Sequence, residues 1–327
     1  MDAFAGLLDG PRARGAFLLR SVLSPPWHIR VVDGAPLTLL SMVRGDAWVL
    51  PDGPAPVRLR PGDVGVVRGP EPYSVADEPG SPPRVVVHPG QRTTTVAGEE
   101  LCESLDLGVR TWGDDPDSPT VLLVGTYPLP GEVGGHLLRA LPRVAVVRGG
   151  AAGATLLSLL GDELRRDRPG QEVVLDRLLD LLLVSTLRAW FDRPDAGAPA
   201  WYRAYGDPVV GRALRLMHAE PAAPWTVTTL AGRAGASRAA FARRFTELVG
   251  EAPMAYLTRW RMTLAADLLR GPDATVAAVA RKVGYGTPFA FSSAFKRVRG
   301  ISPREYRAGR QEPGPGAPEG RVAADRR

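Results

Sequence analysis

From Pro36 to Val87 the chain alternates short apolar stretches with turn residues. The stretches are Leu37–Val43, Ala47–Leu50, Val57–Leu59, Val64–Val67 and Val85–Val87, and the breaks include Arg44-Gly45-Asp46, Pro51-Asp52-Gly53-Pro54 and Arg60-Pro61-Gly62-Asp63. Apolar runs of this length, bounded by residues that supply a positive or fixed φ, predict the strands and tight turns of a small all-β unit, a sandwich or a barrel. Leu107–Thr111 and Val121–Val124 predict two more strands. The period then changes. Leu156, Leu157, Leu159 and Leu160, and after a polar stretch Val174, Leu175, Leu178, Leu179, Leu182 and Leu187, recur at helical spacing and predict two helices trailing the β unit. Asp192–Pro208 is rich in Pro, Gly and Ala and has no sustained period, which predicts a linker over 193–208. From Val209 onward the periodic segments read as helix.

The helical part contains an internal repeat. Phe241-x3-Phe245-x4-Gly250-x2-Pro253-x2-Tyr256 recurs as Phe291-x3-Phe295-x4-Gly300-x2-Pro303-x2-Tyr306, every position displaced by 50. Upstream of each copy lies a short helical stretch with a small residue at its centre, Leu230-Ala231 or Val279-Ala280. It leads into a turn, Ala234-Gly235-Ala236 or Val283-Gly284-Tyr285-Gly286, and then into a hydroxyl N-cap, Ser237 or Thr287. Short helix, turn and capped helix, with alanine allowing close approach and two Phe at i and i+4 filling the groove beneath, is helix-turn-helix geometry. Pro288 is tolerated in the first turn of the second copy, where its missing N–H would be unpaired. Between the units Met254–Leu269 predicts a sixteen-residue helix, roughly 24 Å long, able to hold two readers about one DNA turn apart, close to 34 Å.

Composition sharpens this picture in three places. Apolar residues at 44% and charged residues at 23% exclude a disordered chain, and 327 residues suffice for two domains. The net charge of +6 is unevenly placed: residues 200–310 hold 18 Lys or Arg against 7 Asp or Glu, whereas residues 1–199 hold 20 against 25. A basic C-terminal part beside an acidic N-terminal one marks a polyanion partner for the former. Arg carries nearly all of this charge, Lys occurring only at 282 and 296. The first ten residues lack a basic segment, and the apolar stretch Val173–Phe191 is broken by Asp176, Arg177, Asp180 and Arg188; the expectation is neither a secretory signal nor a membrane span. A single cysteine, Cys102, leaves no internal disulfide and fits a cytoplasmic location.

Trp225-Thr226-Val227, Tyr256-Leu257-Thr258-Arg259-Trp260-Arg261-Met262, Gly284-Tyr285-Gly286 and Ala294-Phe295-Lys296-Arg297-x2-Gly300-Ile301-Ser302-Pro303-Arg304-Glu305-Tyr306-Arg307 together resemble the DNA-binding domain of the AraC/XylS family, over about 100 residues. Residues 12–190 are similar to the cupin-type sensor domains of such regulators, on Leu18-Leu19-Arg20, Pro26-Trp27 and Pro61-Gly62-Asp63. The expected architecture is an α+β multidomain chain: an N-terminal cupin-like β-barrel with trailing helices over 1–192, an all-α domain of two helix-turn-helix units joined by a linker helix over 209–310, and a disordered tail over 311–327.

The resemblance implies a sequence-specific transcription regulator that binds double-stranded DNA. Ala239, Ala242 and Arg243 of the first recognition helix, and Phe289, Ala290 and Ser293 of the second, are its base-reading positions. Arg243 suits a bidentate contact to guanine. Relatives commonly carry Arg where this chain has Ser293, so Phe289 and Ala290 are expected to read shape or thymine methyls instead, with core packing as the other reading of Phe289. Arg238, Arg244, Lys296 and Arg297, with the caps Ser237 and Thr287, are expected at phosphates, positioning the domain without reading sequence. Phe241, Phe245, Phe291, Phe295, Trp260, Tyr256 and Tyr306 are expected in the core.

The sensor domain implies a small-molecule effector and a homodimer, for which the Leu-rich helix from Glu172 to Phe191 is the candidate contact and packing on its own barrel the competing one. RNA polymerase is left open as a further partner. A metal-dependent cupin enzyme targeted to DNA is the alternative. It would need clustered His with a carboxylate, and the four histidines, His28, His88, His136 and His218, form no His-x-His pair; Leu40 and Tyr73 stand where such domains often carry histidine. No cofactor or metal is therefore expected, even counting Cys102. A nonspecific architectural DNA protein, the third possibility, does not account for duplicated readers.

Overall fold

The computed structural model describes residues 17–101, 105–108, 110–127, 139–166, 168–271 and 273–308. The expected tail over 311–327, Cys102 and His136 lie outside them. The chain forms two compact units that divide between Gly206 and Asp207.

The first unit is built on two six-stranded sheets. One has the order β10-β1-β11-β3-β6-β12, with β1 Phe17–Leu23, β3 Leu37–Arg44, β6 Val64–Arg68, β10 Thr111–Gly113, β11 Thr120–Tyr127 and β12 Val144–Val147. The other has the order β5-β4-β7-β2-β8-β9, with β2 His28–Val31, β4 Ala47–Pro51, β5 Val57–Leu59, β7 Tyr73–Ala76, β8 Val85–Val87 and β9 Thr93–Thr95. Strand alternation sorts the side chains. Leu40, Met42 and Leu122 of the first sheet pack inward against Val49, Leu59 and Val75 of the second. Their neighbours Leu39 and Leu123 point the other way, onto two helices, α1 Ala151–Leu164 and α2 Gln171–Phe191. The first sheet is thus buried on both faces, which is why β11 carries the unbroken apolar run Val121–Val124 rather than an alternating pattern.

Close approach of α2 is set by Gly125, where an added Cβ would lie 2.8 Å from Leu179 Cδ1. Beside it the Tyr127 hydroxyl donates to the Leu179 carbonyl at 2.8 Å. The leucine-rich face of α2, Leu175, Leu179, Leu182, Leu183, Leu187 and Phe191, is consumed by this packing. As a dimer contact that face is therefore corrected: it belongs to its own barrel, because burial there already removes these side chains from water.

Two other expectations change. Leu107 leads a turn, not a strand: Gly108 and Arg110 both have positive φ, and the Leu107 N–H donates back to the Thr111 carbonyl at 3.0 Å. Within 193–208 the chain is not an unpacked linker. It forms a short helix, α3 Ala200–Ala204, and Ala198, Trp201 and Tyr202 join the core beneath α2, with the Phe191 and Tyr202 rings 5.4 Å apart. Its aromatic content, hidden among Pro, Gly and Ala, is what recruits it.

The second unit is helical throughout its described length: α4 Val210–Ala219, α5 Val227–Ala234, α6 Arg238–Val249, α7 Pro253–Leu268, α8 Val276–Lys282, α9 Pro288–Arg299 and α10 Pro303–Ala308. The sequence repeat reappears as repeated packing. Phe241 and Phe245 lie 5.7 Å apart, with Tyr256 5.8 Å from Phe245; Phe291 and Phe295 lie 5.7 Å apart, with Tyr306 5.5 Å from Phe295. All four Phe are fully buried. These tilted and edge-on rings favour one relative placement of α6 on α7, and of α9 on α10.

Candidate DNA interface and barrel cavity

The two helix-turn-helix units are held at four points by local chemistry, two in each. Thr226 caps α5 in a reciprocal capping box with Thr229, and Thr275 caps α8 by accepting from the Ala278 N–H at 3.1 Å. The second helices start the same way. The Ala240 N–H donates to Ser237 Oγ at 3.3 Å, and the Ala290 N–H to Thr287 Oγ1 at 3.2 Å. Ser237 and Thr287 are thus helix caps first, leaving the other N–H groups of the first turn of α6 and α9 for an anion.

The turn of the second unit contains a contact that sequence reasoning missed. Gly284, at φ +80°, packs so closely that an added Cβ would sit 2.6 Å from the Ala222 carbonyl oxygen. Ala222 belongs to the segment joining α4 to α5. Arg261 of α7 donates from Nε to the Pro221 carbonyl at 2.6 Å and from Nη2 to the Ala223 carbonyl at 2.7 Å, and its guanidinium lies 5.9 Å from the Tyr285 ring. One half-buried arginine thus ties the linker helix to the first helix-turn-helix unit and to the turn of the second. Burial lowers its affinity for the proton, while Tyr285 opposes that shift.

The expected base-reading residues are largely presented to solvent. Ala239 is exposed, Ala242 half-buried, and Arg243 has 77% of its side chain free, its Nε only 3.7 Å from Glu247. On α9, Phe289 is 82% exposed, which rules out core packing for it, and Ala290 and Ser293 are exposed as well. Phe289, Ser293 and Lys296 follow one another at i, i+4 and i+7, and so share one helix face. Ser292, half-buried at i+3 from Phe289, flanks that face and was not picked out from sequence.

Among the residues expected at phosphates, Arg238, Lys296 and Arg297 are exposed. Arg244 differs. It donates from Nε and Nη2 to Asp207 Oδ2 at 2.8 and 2.6 Å. Asp207 Oδ1 meanwhile accepts from the Val209 and Val210 N–H groups at the start of α4. Arg244, with these partners and the backbone amides, holds the Asp207 carboxyl below the usual carboxylate range against the opposing effect of burial. In this structure Arg244 serves the fold of the domain.

A cavity of about 210 Å³ opens between the two sheets of the first unit. It occupies the end made by β10, β1 and β11 against β7, β2 and β8. Leu19, Ile29, Leu40, Val75, Leu122 and Val124 form its apolar wall. The two positions where a histidine might have stood, Leu40 and Tyr73, both face it. Tyr73 bonds Thr38, and burial pushes its phenol well above the ordinary tyrosine range. The remaining histidines are engaged elsewhere: His28 Nδ1 donates to the Ser81 carbonyl at 2.5 Å, His88 Nε2 lies 3.0 Å from Thr94 Oγ1, and His218 Nε2 lies 2.7 Å from the Tyr256 hydroxyl in the helical unit. Among the described residues no three His, Cys, Asp or Glu side chains gather as a metal site.

Residues 2–192 match the family described as Cupin, and residues 230–309 match the family described as Helix-turn-helix domain. An AraC-like transcription regulator of Streptomyces lividans is 30% identical over 312 residues, 94% of this chain and 98% of the relative. The chain belongs to the AraC-like transcription regulators. An AraC-like regulator of Streptomyces antibioticus is 40% identical over 175 residues, 52% of this chain and 58% of that one. The HTH-type transcriptional regulator AlkR of Acinetobacter baylyi is 38% identical over 148 residues, 44% and 47% of the two chains. Among solved structures, the DNA-binding domain of AdpA in complex with a target DNA is 36% identical with a TM-score of 0.31, covering 32% of this chain and 93% of that one. This AraC-like regulator is therefore a DNA-binding transcription factor, in line with relatives named as regulators rather than enzymes. Among its described residues no helix is long and apolar enough to cross a membrane.

Proposed function

We propose that this regulator reads a bipartite duplex site through α6 and α9, and that its barrel adjusts the reading in response to a small-molecule effector. The observation that carries the first part is the pairing of two hydroxyl-capped helices, each with an exposed face free of core duties, on a repeated Phe-Phe-Tyr base. Arg243 is the base-reading cation of the first half-site, flanked by Ala239 and Ala242, which are small enough to let the helix approach the groove. In the second half-site Phe289, Ala290 and Ser293 offer apolar and hydroxyl surface suited to thymine methyls and groove shape. Arg238, Lys296 and Arg297 hold phosphates, with the capped first turns of α6 and α9.

The regulator acts as a homodimer. With the leucine face of α2 spent on the barrel, the apolar surface available to a second copy is Val173, Val174 and Leu181 of α2 with Leu159 of α1, all exposed. Charged substitution at Val174 and Leu181 converts a dimer to a monomer by sedimentation. The effector reading is supported by the cavity, a concave and mainly apolar space in a domain that matches the Cupin family. Footprinting with single base-pair changes tests the DNA part: changes under the first half-site are to cost more affinity than changes under the second. Equal costs would reject the division of labour.

A further inference from the structure

The polar groups around the barrel cavity restrict what it can accept. No Lys, Arg or His is among the described residues that line it. Its polar lining consists of Ser21, Tyr73, Gln91, Thr93, Thr126, the buried indole N–H of Trp112 and one carboxylate, Asp33. The strand register places several of these at one end: Val31 pairs with Tyr73 and Val87, Val87 with Thr93, and Thr38, which bonds Tyr73, with Thr126. Away from that end the wall is aliphatic apart from Ser21 and Trp112, which pair with each other across β1 and β10. Arg143 acts electrostatically on Tyr73, but its guanidinium is held by the Glu71 carboxylate at 3.1 Å and by the Glu71 and Pro72 carbonyls.

An anion entering this space would lose its hydration, meet no cation among the described lining residues, and face Asp33 besides. Asp33 keeps its own place through Oδ1, which accepts from the Ala35 N–H at 3.0 Å. An uncharged molecule meets none of these penalties. Its apolar body would lie against Leu19, Leu40, Leu122 and Val124, and a hydroxyl or carbonyl would find partners among the hydroxyls and the amide of the polar end. The cavity is somewhat larger than one that holds benzene, which suggests roughly ten non-hydrogen atoms.

We infer that the cavity selects a small, uncharged, mainly apolar molecule with one polar end, and rejects carboxylates and phosphates of the same size. The inference rests on the proposal that the barrel receives the effector.

Acetophenone, ethylbenzene and benzoate test it by calorimetric titration of the full chain. The first and third have matching ring and size and differ in charge, and the second lacks a polar end. Acetophenone is expected to bind at least roughly tenfold more tightly than benzoate, with ethylbenzene between them. Asp33→Asn keeps the Oδ1 acceptor and removes the charge; it should narrow the benzoate deficit and leave acetophenone within about twofold of wild type. Val124→Phe should abolish binding of all three by filling the cavity, and Asp33→Asn stands as the check should that variant fail to fold. Benzoate binding as tightly as acetophenone would overturn the neutral-ligand inference while leaving the cavity as an effector site. No heat with any probe up to about 1 mM, where even weak apolar binding registers, would overturn the effector reading and this inference with it.

Discussion

Arg244 donates twice to Asp207 Oδ2, joining the start of α4 to α6, and the other oxygen of the same carboxylate caps α4 through two backbone amides. This relationship gives Arg244 a structural partner within the domain. Arg244→Ala is therefore expected to lower the thermal stability of the helical unit while leaving the salt dependence of DNA binding unchanged. Arg238→Ala should leave stability unchanged and reduce the salt slope by about 1. Asp207→Ala, which loses the helix-start acceptor as well, should cost about 1 kcal/mol or more.

The same pair gives a pH dependence of definite sign. The Asp207 carboxyl titrates lower in the folded chain than in the unfolded one, where it takes an ordinary value of about 3.9. Its contribution is present above that value and is lost as pH falls through the folded value. Urea unfolding of wild type and Asp207→Asn should therefore show a gap at pH 6 that closes in strong acid. A gap of constant size at all pH values would remove the ion pair from the account.

Phe289 is the next test, because it is large, apolar and exposed at the start of α9. Phe289→Ala is expected to leave the melting temperature unchanged and to weaken binding to the second half-site. Replacing thymine by uracil in that half-site removes only the methyl group. It should weaken wild-type binding and have no further effect on the variant.

Arg261 and Gly284 join the two helix-turn-helix units within the helical domain. Arg261→Lys keeps the charge but cannot reproduce the two fixed donations to Pro221 and Ala223. It should cost about 1–3 kcal/mol in stability and lower affinity for the full site more than for an isolated half-site. Gly284→Ala should act in the same direction, since its Cβ would meet backbone at a positive φ. By contrast Phe295→Ala, a deletion inside a buried ring stack, should cost about 3–5 kcal/mol and unfold the unit.

The helical unit was more legible in sequence than the barrel, for physical reasons. Phe241, Phe245, Tyr256 and their counterparts at 291, 295 and 306 lie at helical spacing and repeat, so both local period and tertiary packing show in the chain. The hydroxyl caps Ser237 and Thr287 are local signals too. Strands β1, β2, β7, β9 and β12 were not expected. β1 lacks alternation because it is buried on both faces; β2, β7, β9 and β12 are only three or four residues long, and β2, β7 and β12 owe their existence to partners far away in sequence. The contacts that Arg261, Gly284 and Arg244 make were invisible because each reaches a residue at least 37 positions distant. Leu40 and Tyr73 were legible as positions where histidine is absent, but not as walls of a cavity.

Selection of preferred sites from a random duplex pool, with the full chain at fixed near-physiological salt, tests the central claim most directly, because nonspecific binding varies steeply with salt. The account predicts a motif with two determinants about one helical turn apart, the first losing its preference in Arg243→Ala. Recovery of no motif would contradict it, leaving the basic charge of residues 200–310, and not the paired helices, as the basis of binding.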